Sequence, residues 1–589
     1  MDISDAIAKM DAATLEDIRA ECFAEDVELP DLAIAGCWTE DDARGFFESG
    51  GDYKTVPGWT GLAAAKPTQP PRTDPDTLPT PGAAAAAKLK QVPPLPPYKR
   101  LTQTEMATNA KLNCPGEWHG LPLPNSLVQL HTGSQFGAAW LTKAFHAAGS
   151  LPVDDAVVEI THFEALPLQG LDAQGGAGEK ALLSVRYAKV DNGLHTQLFV
   201  KCPFDFQKYA YQRSLISVTY GDGDGLELMA YQWLAADLPV QTPQLYFADL
   251  SRKSSYYLLI TECVQYAPRG STADGYILDW RDLSIGQIMP KSGKYQDDRI
   301  ADAHLYYYAL LKAMARMAAA DKIGRFDRVL GPNTYTGKGV NRDSKVRRQL
   351  QADRAASQFD SLISFVLDYA PALFGGLADR TWLQQAKREF VEMASYFEAA
   401  NAYLASKPEL FALSHINLQI DNAWFWRASG GEGGSAEDVE LECGLLDWYN
   451  TGRAPTVGVW SGCLGGCEAE LFLAHEEGLI SAYSREYHKY GGPLVDPNEL
   501  MLQYRLSFVS GFVNALQYIE SEVLKDMPSK QEWNAVKSGW DPAVMGKWNV
   551  RCRTLAIVQS LKIYKAAPMY NTFMAWVRAN PELCREPAK

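Results

Sequence analysis

Five segments with the alternating pattern of β-strands fall within residues 153–262, and helical periodicity dominates the chain that follows. The strand segments read VVEITHFEAL, ALLSVRYAKV, TQLFVKC, PQLYFADL and SYYLLITE, with the helical segment LELMAYQWLAA between the third and the fourth. Two strand-like segments, LSHINLQIDNAWFW and VELECGLLDWYN, interrupt the later helices. This order predicts an α+β fold with two lobes: a five-stranded lobe with one helix, then a mainly helical lobe that contains a short β-hairpin.

The sequence before these strands divides into two further regions. Residues 1–60 predict a small helical accessory unit, because Thr14 and Thr39 each begin a helix N-cap pattern. Residues 61–98 form a Pro/Ala-rich linker, since residues 67–97 alone hold ten prolines and the run AAAAA. We therefore predict the strand-rich lobe over 99–265 and the helical lobe over 266–589.

Charge and hydropathy restrict the partners of the chain. The 589 residues carry a formal net charge of −15, which disfavours binding to nucleic acid phosphates. No apolar run is long enough for a transmembrane helix, and the acidic start lacks the features of a signal peptide.

The ten cysteines are scattered, without the spacing of a zinc site. We expect reduced thiols, a cytoplasmic location and no membrane partner.

Lys201 ends the strand segment TQLFVKC, and Glu227 lies in the helical segment that follows. Phosphoryl transfer requires a fixed cation on the nucleotide phosphates and a carboxylate that holds this cation. The pair fits that requirement. A surface lysine and a solvated helix glutamate are the alternative that these two residues alone would favour.

A second pattern lies in LSHINLQIDNAWFW. Kinase-type catalytic loops run His-x-Asp, then four residues, then Asn, and lead into a strand; His415, Asn417 and Asn422 occupy this spacing. The next strand then presents Asp447 between apolar and aromatic neighbours, where such enzymes keep a metal-binding aspartate. Each motif is weak alone, but together they occur in the right order and on the right elements.

Residues from about 135 to 490 resemble the aminoglycoside phosphotransferase and choline-kinase-like superfamily, and most of all its ecdysteroid-kinase-like branch. The resemblance is carried by the segments FVKC, ELMAY, LLITE, HINLQIDN and GLLDW. It implies phosphorylation of a small-molecule hydroxyl by ATP or GTP. Lys201 would contact the α- and β-phosphates and be held by Glu227, and Thr261, Glu262 and Cys263 would form the hinge beside the base. Asn422 and Asp447 would bind Mg²⁺.

One residue departs from the family pattern, because Asn417 stands where the family has its catalytic aspartate. An amide is a very poor base, although its oxygen can still orient a hydroxyl. General-base assistance is worth on the order of 10²–10⁴ in rate, whereas phosphoryl transfer depends mostly on positioning and metal. Asp421 is a candidate substitute base, with a solvent-facing loop carboxylate or a turn cap as the favoured alternative. We expect His415 to brace the loop by hydrogen bonds.

The sequence therefore predicts a small-molecule kinase that uses ATP and Mg²⁺, with a hydroxylated metabolite as substrate and activity that Asn417 weakens. The alternative is a pseudokinase that binds a nucleotide, a metabolite or a partner. A protein partner would bind the N-terminal helical unit.

Other motifs are weaker. GPNTYTGKG at 331–339 misses the spacing of a phosphate-binding P-loop, and GDGDG at 221–225 lacks the acidic positions of a calcium loop. The glycines at 175–178 can cover phosphates or form a surface turn. Five aromatic residues near the predicted hairpin could box a quaternary ammonium, but strand packing is the favoured explanation. These are Trp424, Trp426, Trp448, Tyr449 and Trp460.

Overall fold

A computed structural model describes residues 102–167, 178–190, 192–206, 223–268, 278–337, 345–428, 440–449 and 451–584. The predicted N-terminal helical unit and the Pro/Ala-rich linker lie outside these residues, as do most of the glycines at 175–178. Within the described ranges, no helix has the length and apolar character needed to cross a membrane.

All five strands predicted for the first lobe are present, and they form one antiparallel sheet in the order β1-β2-β3-β5-β4. Two further antiparallel pairs, β6 with β9 and β7 with β8, lie in the second half of the chain. The strands are β1 Val157–Ala165, β2 Gly178–Tyr187, β3 Gln197–Pro203, β4 Leu245–Ser251, β5 Tyr256–Glu262, β6 Phe411–Ser414, β7 Ala423–Arg427, β8 Leu441–Leu445 and β9 Gly452–Pro455.

The described helices are mostly in the second half of the chain. Three π-helical turns follow helix ends: Ala230–Leu234, Phe365–Tyr369 and Ile519–Val523. The helices are α1 Gln103–Asn109, α2 Leu127–Thr132, α3 Ala138–Ala148, α4 Gly223–Met229, α5 His304–Lys322, α6 Asp327–Leu330, α7 Lys345–Ser364, α8 Pro371–Phe374, α9 Arg380–Ala394, α10 Phe397–Ala405, α11 Thr456–Leu464, α12 Ala469–Lys489, α13 Pro497–Leu516, α14 Leu524–Asp526, α15 Lys530–Ala535, α16 Pro542–Met545, α17 Trp548–Ala566, α18 Met569–Ala579 and α19 Pro581–Cys584.

The sheet has two buried faces because its side chains alternate along each strand. On β5, Leu258 and Ile260 belong to the apolar core that includes α2 and α3, whereas Leu259 belongs to the core that includes α4 and the later helices. On β3, Val200 faces the first core, so Lys201 projects from the opposite face. Polar residues on that second face lie between the sheet and the helical part.

A buried ion pair fixes the β6–β9 pair to α5. The Asp321 side chain on α5 is fully buried, and its Oδ1 lies 2.7 Å from an Nη of Arg453 on β9. Its Oδ2 accepts a hydrogen bond from the amide of Leu413 on β6 at 3.0 Å. Because β6 leads directly into residues 415–422, this pair positions the predicted catalytic loop.

The α+β class and the order of elements are therefore confirmed. The predicted helix over TWLQQAKREFVEMASYFEAANAYL is in fact two helices, α9 and α10. The helix after β3 begins at Gly223 and continues past Met229 as a π-helical turn. The lobe boundaries at 99, 265 and 589 stay predictions.

We expect Asp321→Ala to lower the free energy of unfolding by about 3–5 kcal/mol, because it leaves the Arg453 guanidinium buried without its carboxylate. Guanidinium denaturation followed by circular dichroism measures this change. Asp360→Ala is the control, since Asp360 is exposed and its pair with Lys387 should contribute at most about 1 kcal/mol. Equal losses in the two variants would contradict the prediction.

Candidate active site

Three charged side chains from distant elements meet beneath the sheet. Lys201 Nζ on β3 donates to both carboxylate oxygens of Glu227 on α4, at 2.9 and 2.7 Å. The same ammonium donates to Asp447 Oδ1, after β8, at 2.6 Å. Lys201 and Glu227 are almost completely buried. The contact between Glu227 and Lys201 agrees with the role that the sequence suggested for this pair. The sequence did not predict the second contact, in which Lys201 also donates to Asp447.

Neighbouring charges determine the protonation states of Lys201 and Asp447. Burial alone would lower the pKa of Lys201, but the carboxylates of Asp447 and Glu227 outweigh burial and hold this pKa above its ordinary value. Burial would raise the pKa of Asp447, but the ammonium groups of Lys201 and Lys180 hold it well below its ordinary value. At neutral pH, Lys201 is therefore a cation and Asp447 an anion.

Asp447 has an unusual backbone conformation. Its φ of +61° lies in the left-handed region, which aspartate tolerates better than most residues with a Cβ. The turn places its carboxylate between Lys201 on the sheet and Asn417 on the loop after β6. Local strain is thus offset by two side-chain hydrogen bonds.

Asn417 is a hydrogen-bond donor to this carboxylate. Its Nδ2 lies 2.7 Å from Asp447 Oδ2, and its Oδ1 accepts from Gln419 Nε2 at 3.1 Å. Because an ionised carboxylate only accepts, the amide must direct its nitrogen towards Asp447. The sequence suggested that the Asn417 oxygen orients an acceptor hydroxyl. In the structure this oxygen already accepts one bond from Gln419.

His415 braces the loop, as the sequence predicted. The ring is fully buried, stacks at an angle on Trp448 with centroids 4.6 Å apart, and contacts the Leu446 carbonyl oxygen through Nε2 at 3.0 Å. Burial lowers the pKa of His415 to about 4, so the imidazole is neutral at physiological pH. A neutral ring donates from Nε2 to the carbonyl, which fixes the residue preceding Asp447.

Asn422 and Asp447 form the candidate metal site. The amide nitrogen of Asn422 donates to the carbonyl oxygen of Asn417 at 2.7 Å, so the amide oxygen is the group that can serve as a ligand. The Leu446 amide donates to the Asn422 carbonyl at 3.0 Å, which holds the two candidate ligands side by side. Within the described ranges, no cluster of three His, Cys, Asp or Glu side chains forms a metal cage. One carboxylate and one amide oxygen fit Mg²⁺, which binds few protein groups together with phosphates.

Asp421 does not face solvent, which corrects the alternative favoured from the sequence. Only 18% of its side chain is exposed; Oδ2 lies 3.5 Å from Lys294 Nζ, and Oδ1 is buried without a hydrogen-bond partner. The short 3₁₀ turn Ile420–Asn422 turns this carboxylate towards the protein. Whether Asp421 acts as a base stays a prediction.

The predicted hinge lies where β5 ends. The Glu262 amide donates to the Gln244 carbonyl at 2.9 Å, and the Cys263 amide donates to the Gln197 carbonyl at 3.0 Å. Thr261 is buried between Phe199 on β3 and Leu245 on β4, its partners in the sheet. The main chain of Thr261–Cys263 is therefore fixed between β3 and the segment that enters β4, at one end of the cavity described next.

A cavity of about 850 Å³ lies between the sheet and the helical part, and it brings together all the predicted site residues except His415. Sequence reasoning missed many of its polar lining residues, among them Lys180, Lys291, Lys294 and Gln419. The alternation of β2 could have revealed Lys180, because apolar residues at 181, 183 and 185 place 180 on the cavity face. None of the five aromatic residues near the hairpin is among the lining residues, and Trp448 and Trp460 are fully buried, so packing explains them.

Two of the weaker motifs can be placed in part. Residues 331–337 follow the short helix α6 and pack beside β6, where Tyr335 stacks on Phe411 with ring centroids 3.8 Å apart. They are not among the cavity-lining residues. Most of the glycines at 175–178 and the start of GDGDG lie outside the described residues.

No family model matches the chain, and no curated protein matches it. Among solved structures, the chain is similar to a spectinomycin phosphotransferase in complex with ADP and spectinomycin, at 13% identity over 68% of this chain and 94% of that one, with a TM-score of 0.30. It is similar to a choline kinase from Cryptosporidium parvum Iowa II, at 11% identity over 71% of this chain and 94% of the other, with a TM-score of 0.31. It is also similar to an ethanolamine kinase from Plasmodium vivax, at 9% identity over 71% of this chain and 85% of the other, with a TM-score of 0.31. We draw no functional conclusion from identities and TM-scores this low.

His415 predicts a pH dependence of stability. Because its pKa is about 4 in the folded chain and about 6.5 when unfolded, the unfolded state binds this proton first as the pH falls. We expect the free energy of unfolding to fall by about 3 kcal/mol from this group between pH 6.5 and pH 4. In His415→Gln, this fall in the free energy of unfolding between pH 6.5 and pH 4 should be absent. Urea denaturation across this pH range measures it, with the exposed His162→Gln as control. Parallel slopes for all three proteins would contradict the assignment.

Proposed function

We propose that this chain is a small-molecule kinase, which transfers the γ-phosphoryl group of ATP to a hydroxyl of a metabolite. We further assign it to the aminoglycoside phosphotransferase and choline-kinase-like superfamily, closest to the ecdysteroid-kinase-like branch. The observation that carries the proposal is the contact of Lys201 with both Glu227 and Asp447 at the wall of the cavity. The predicted cytoplasmic location and the partner-binding role of the N-terminal unit are further proposals.

The nucleotide would lie along the sheet face of the cavity. Its base would approach the main chain of Thr261–Cys263, and its phosphates would extend towards Lys201, with Glu227 keeping the ammonium in place. Asn422 and Asp447 would hold Mg²⁺, which supplies positive charge against the phosphate oxygens when bound. Such positioning and charge compensation provide most of the catalysis in phosphoryl transfer.

The acceptor hydroxyl would lie near Asn417 and Asp421. The Asn417 oxygen keeps a second lone pair for the hydroxyl after accepting from Gln419, but an amide does not remove its proton. Asp421 is the nearest carboxylate in sequence that lines the cavity without a bond to Lys201. A loose transition state needs little base assistance before the new bond forms, so a slow reaction remains chemically reasonable without a base at 417.

Nucleotide binding is the first test. We expect ATP with Mg²⁺, at about 100 times its dissociation constant, to stabilise the chain by roughly 2.7 kcal/mol, which raises the melting temperature by a few degrees. The shift should depend on Mg²⁺ and be lost in Asp447→Asn. Asp237→Asn is the control, because Asp237 forms only a long surface pair with Arg328.

Either of two results would contradict this prediction. An absence of any shift with ATP or GTP would overturn the kinase proposal, and a full shift in Asp447→Asn would overturn the metal site. A normal shift without phosphate transfer to any hydroxylated metabolite would favour the pseudokinase alternative, which the amide at 417 already supports.

The partner of Asn417 predicts the effect of Asn417→Asp. This change would bring a second carboxylate to about the position of an amide that lies 2.7 Å from Asp447. Repulsion between the carboxylates should lower the free energy of unfolding by about 1–3 kcal/mol, more than in Asn417→Ala, which only removes the donor. Millimolar Mg²⁺ should restore part of the lost free energy of unfolding in Asn417→Asp but not in Asn417→Ala. Equal stability of the Asp variant and the original chain in chelator would contradict the hydrogen bond.

A further inference from the structure

We propose that Lys180 is a second phosphate-binding cation, which holds the phosphate chain of the nucleotide together with Lys201. This inference rests on the proposed function and adds a residue for which the sequence motifs gave no role. Three observations carry it: the register of β2 and β3, the balance of charge around Lys201, and the burial of the Lys180 side chain in the cavity wall.

The register places the two lysines side by side. Lys180 on β2 is directly opposite Lys201 on β3 in the antiparallel pair. Side chains of such partners leave the same face of the sheet with Cβ atoms about 4.5–5.5 Å apart. Both lysines line the cavity, and Lys180 is only 6% exposed. Two lysines that leave the same face of the sheet as direct partners can contact neighbouring phosphate groups of one polyphosphate.

The charge balance favours a second cation beside Lys201. Lys201 already contacts the carboxylates of both Glu227 and Asp447, so these three groups together carry one net negative charge when both acids are ionised. Such a cluster repels a polyphosphate that carries no Mg²⁺. In its charged form, Lys180 neutralises the cluster, and Lys291 adds a further positive charge to the cavity lining.

Burial also makes the charge of Lys180 sensitive to a ligand. Burial lowers the pKa of this lysine to about 7, and the charges of Lys201 and Lys291 lower it further against the opposing carboxylates of Asp447 and Glu227. A polyanion in the cavity favours the charged form of Lys180, so phosphate binding and protonation of this lysine support each other.

Calorimetric titration with ATP, ADP and adenosine tests the proposal. We expect Lys180→Met to weaken ATP and ADP binding by about 10- to 100-fold, the effect of removing a charge-assisted hydrogen bond, and to leave adenosine binding unchanged. Lys180→Arg, which keeps the charge, should retain most of the affinity. Lys189→Met is the matched control, because Lys189 follows the other end of β2 and pairs with Asp154. Thermal melting of each ligand-free variant establishes that it folds, and Lys180→Gln serves as the second variant.

The outcomes separate this inference from the proposed function. Loss of ATP affinity in Lys180→Met with an unchanged or higher melting temperature supports a phosphate-binding role. Unchanged ATP affinity in Lys180→Met or Lys180→Gln, with affinity lost in Lys201→Met, overturns the inference and leaves the kinase proposal standing. No ATP binding by the original chain overturns both.

Discussion

The contact of one ammonium group with two carboxylates connects the two parts of this protein. Lys201 belongs to the sheet, Glu227 to α4, and Asp447 to the segment that follows β8 in the helical part. Buried ions lose their hydration, and only close geometry with several hydrogen bonds offsets that loss. Since Lys201 Nζ lies 2.6–2.9 Å from oxygens of both carboxylates, the cluster meets this condition and fixes the cavity between the sheet and the helices.

The same cluster gives a physical reason for the amide at position 417. Asp447 is held as an anion, and its second oxygen needs a donor wherever no metal is bound. Asn417 supplies that donor, whereas a carboxylate would need a cation between itself and Asp447. The amide at 417 therefore stabilises the ligand-free site but cannot abstract a proton. Under the proposed function, phosphoryl transfer would depend on positioning more than on base catalysis.

The sequence predicted the parts of this site that strand alternation and loop spacing determine. Lys201, Asn417, Asn422 and Asp447 all line one cavity, and each lies in a strand or within a few residues of one whose pattern is clear in the sequence. The segment Lys291–Tyr295 has no regular period, so no pattern indicated that it lines the cavity. The sequence pattern favours solvent exposure for Asp421, because charged loop residues are usually exposed. The 3₁₀ turn in which it lies depends on packing, which the sequence pattern does not reveal.

The helical segment α17 determines the far side of the cavity, although it lies over 100 residues beyond the catalytic loop. Its Arg551 is buried and donates to three carbonyl oxygens: Gly539 at 2.8 Å, Lys294 at 3.1 Å and Tyr295 at 2.8 Å. A guanidinium with three such partners holds the main chain of the segment rigidly. That main chain carries Lys294, which lies 3.5 Å from Asp421. The shape of this end of the cavity therefore depends on α17. Within the proposed function, residues far along the chain from the predicted catalytic loop would thus contribute to substrate choice.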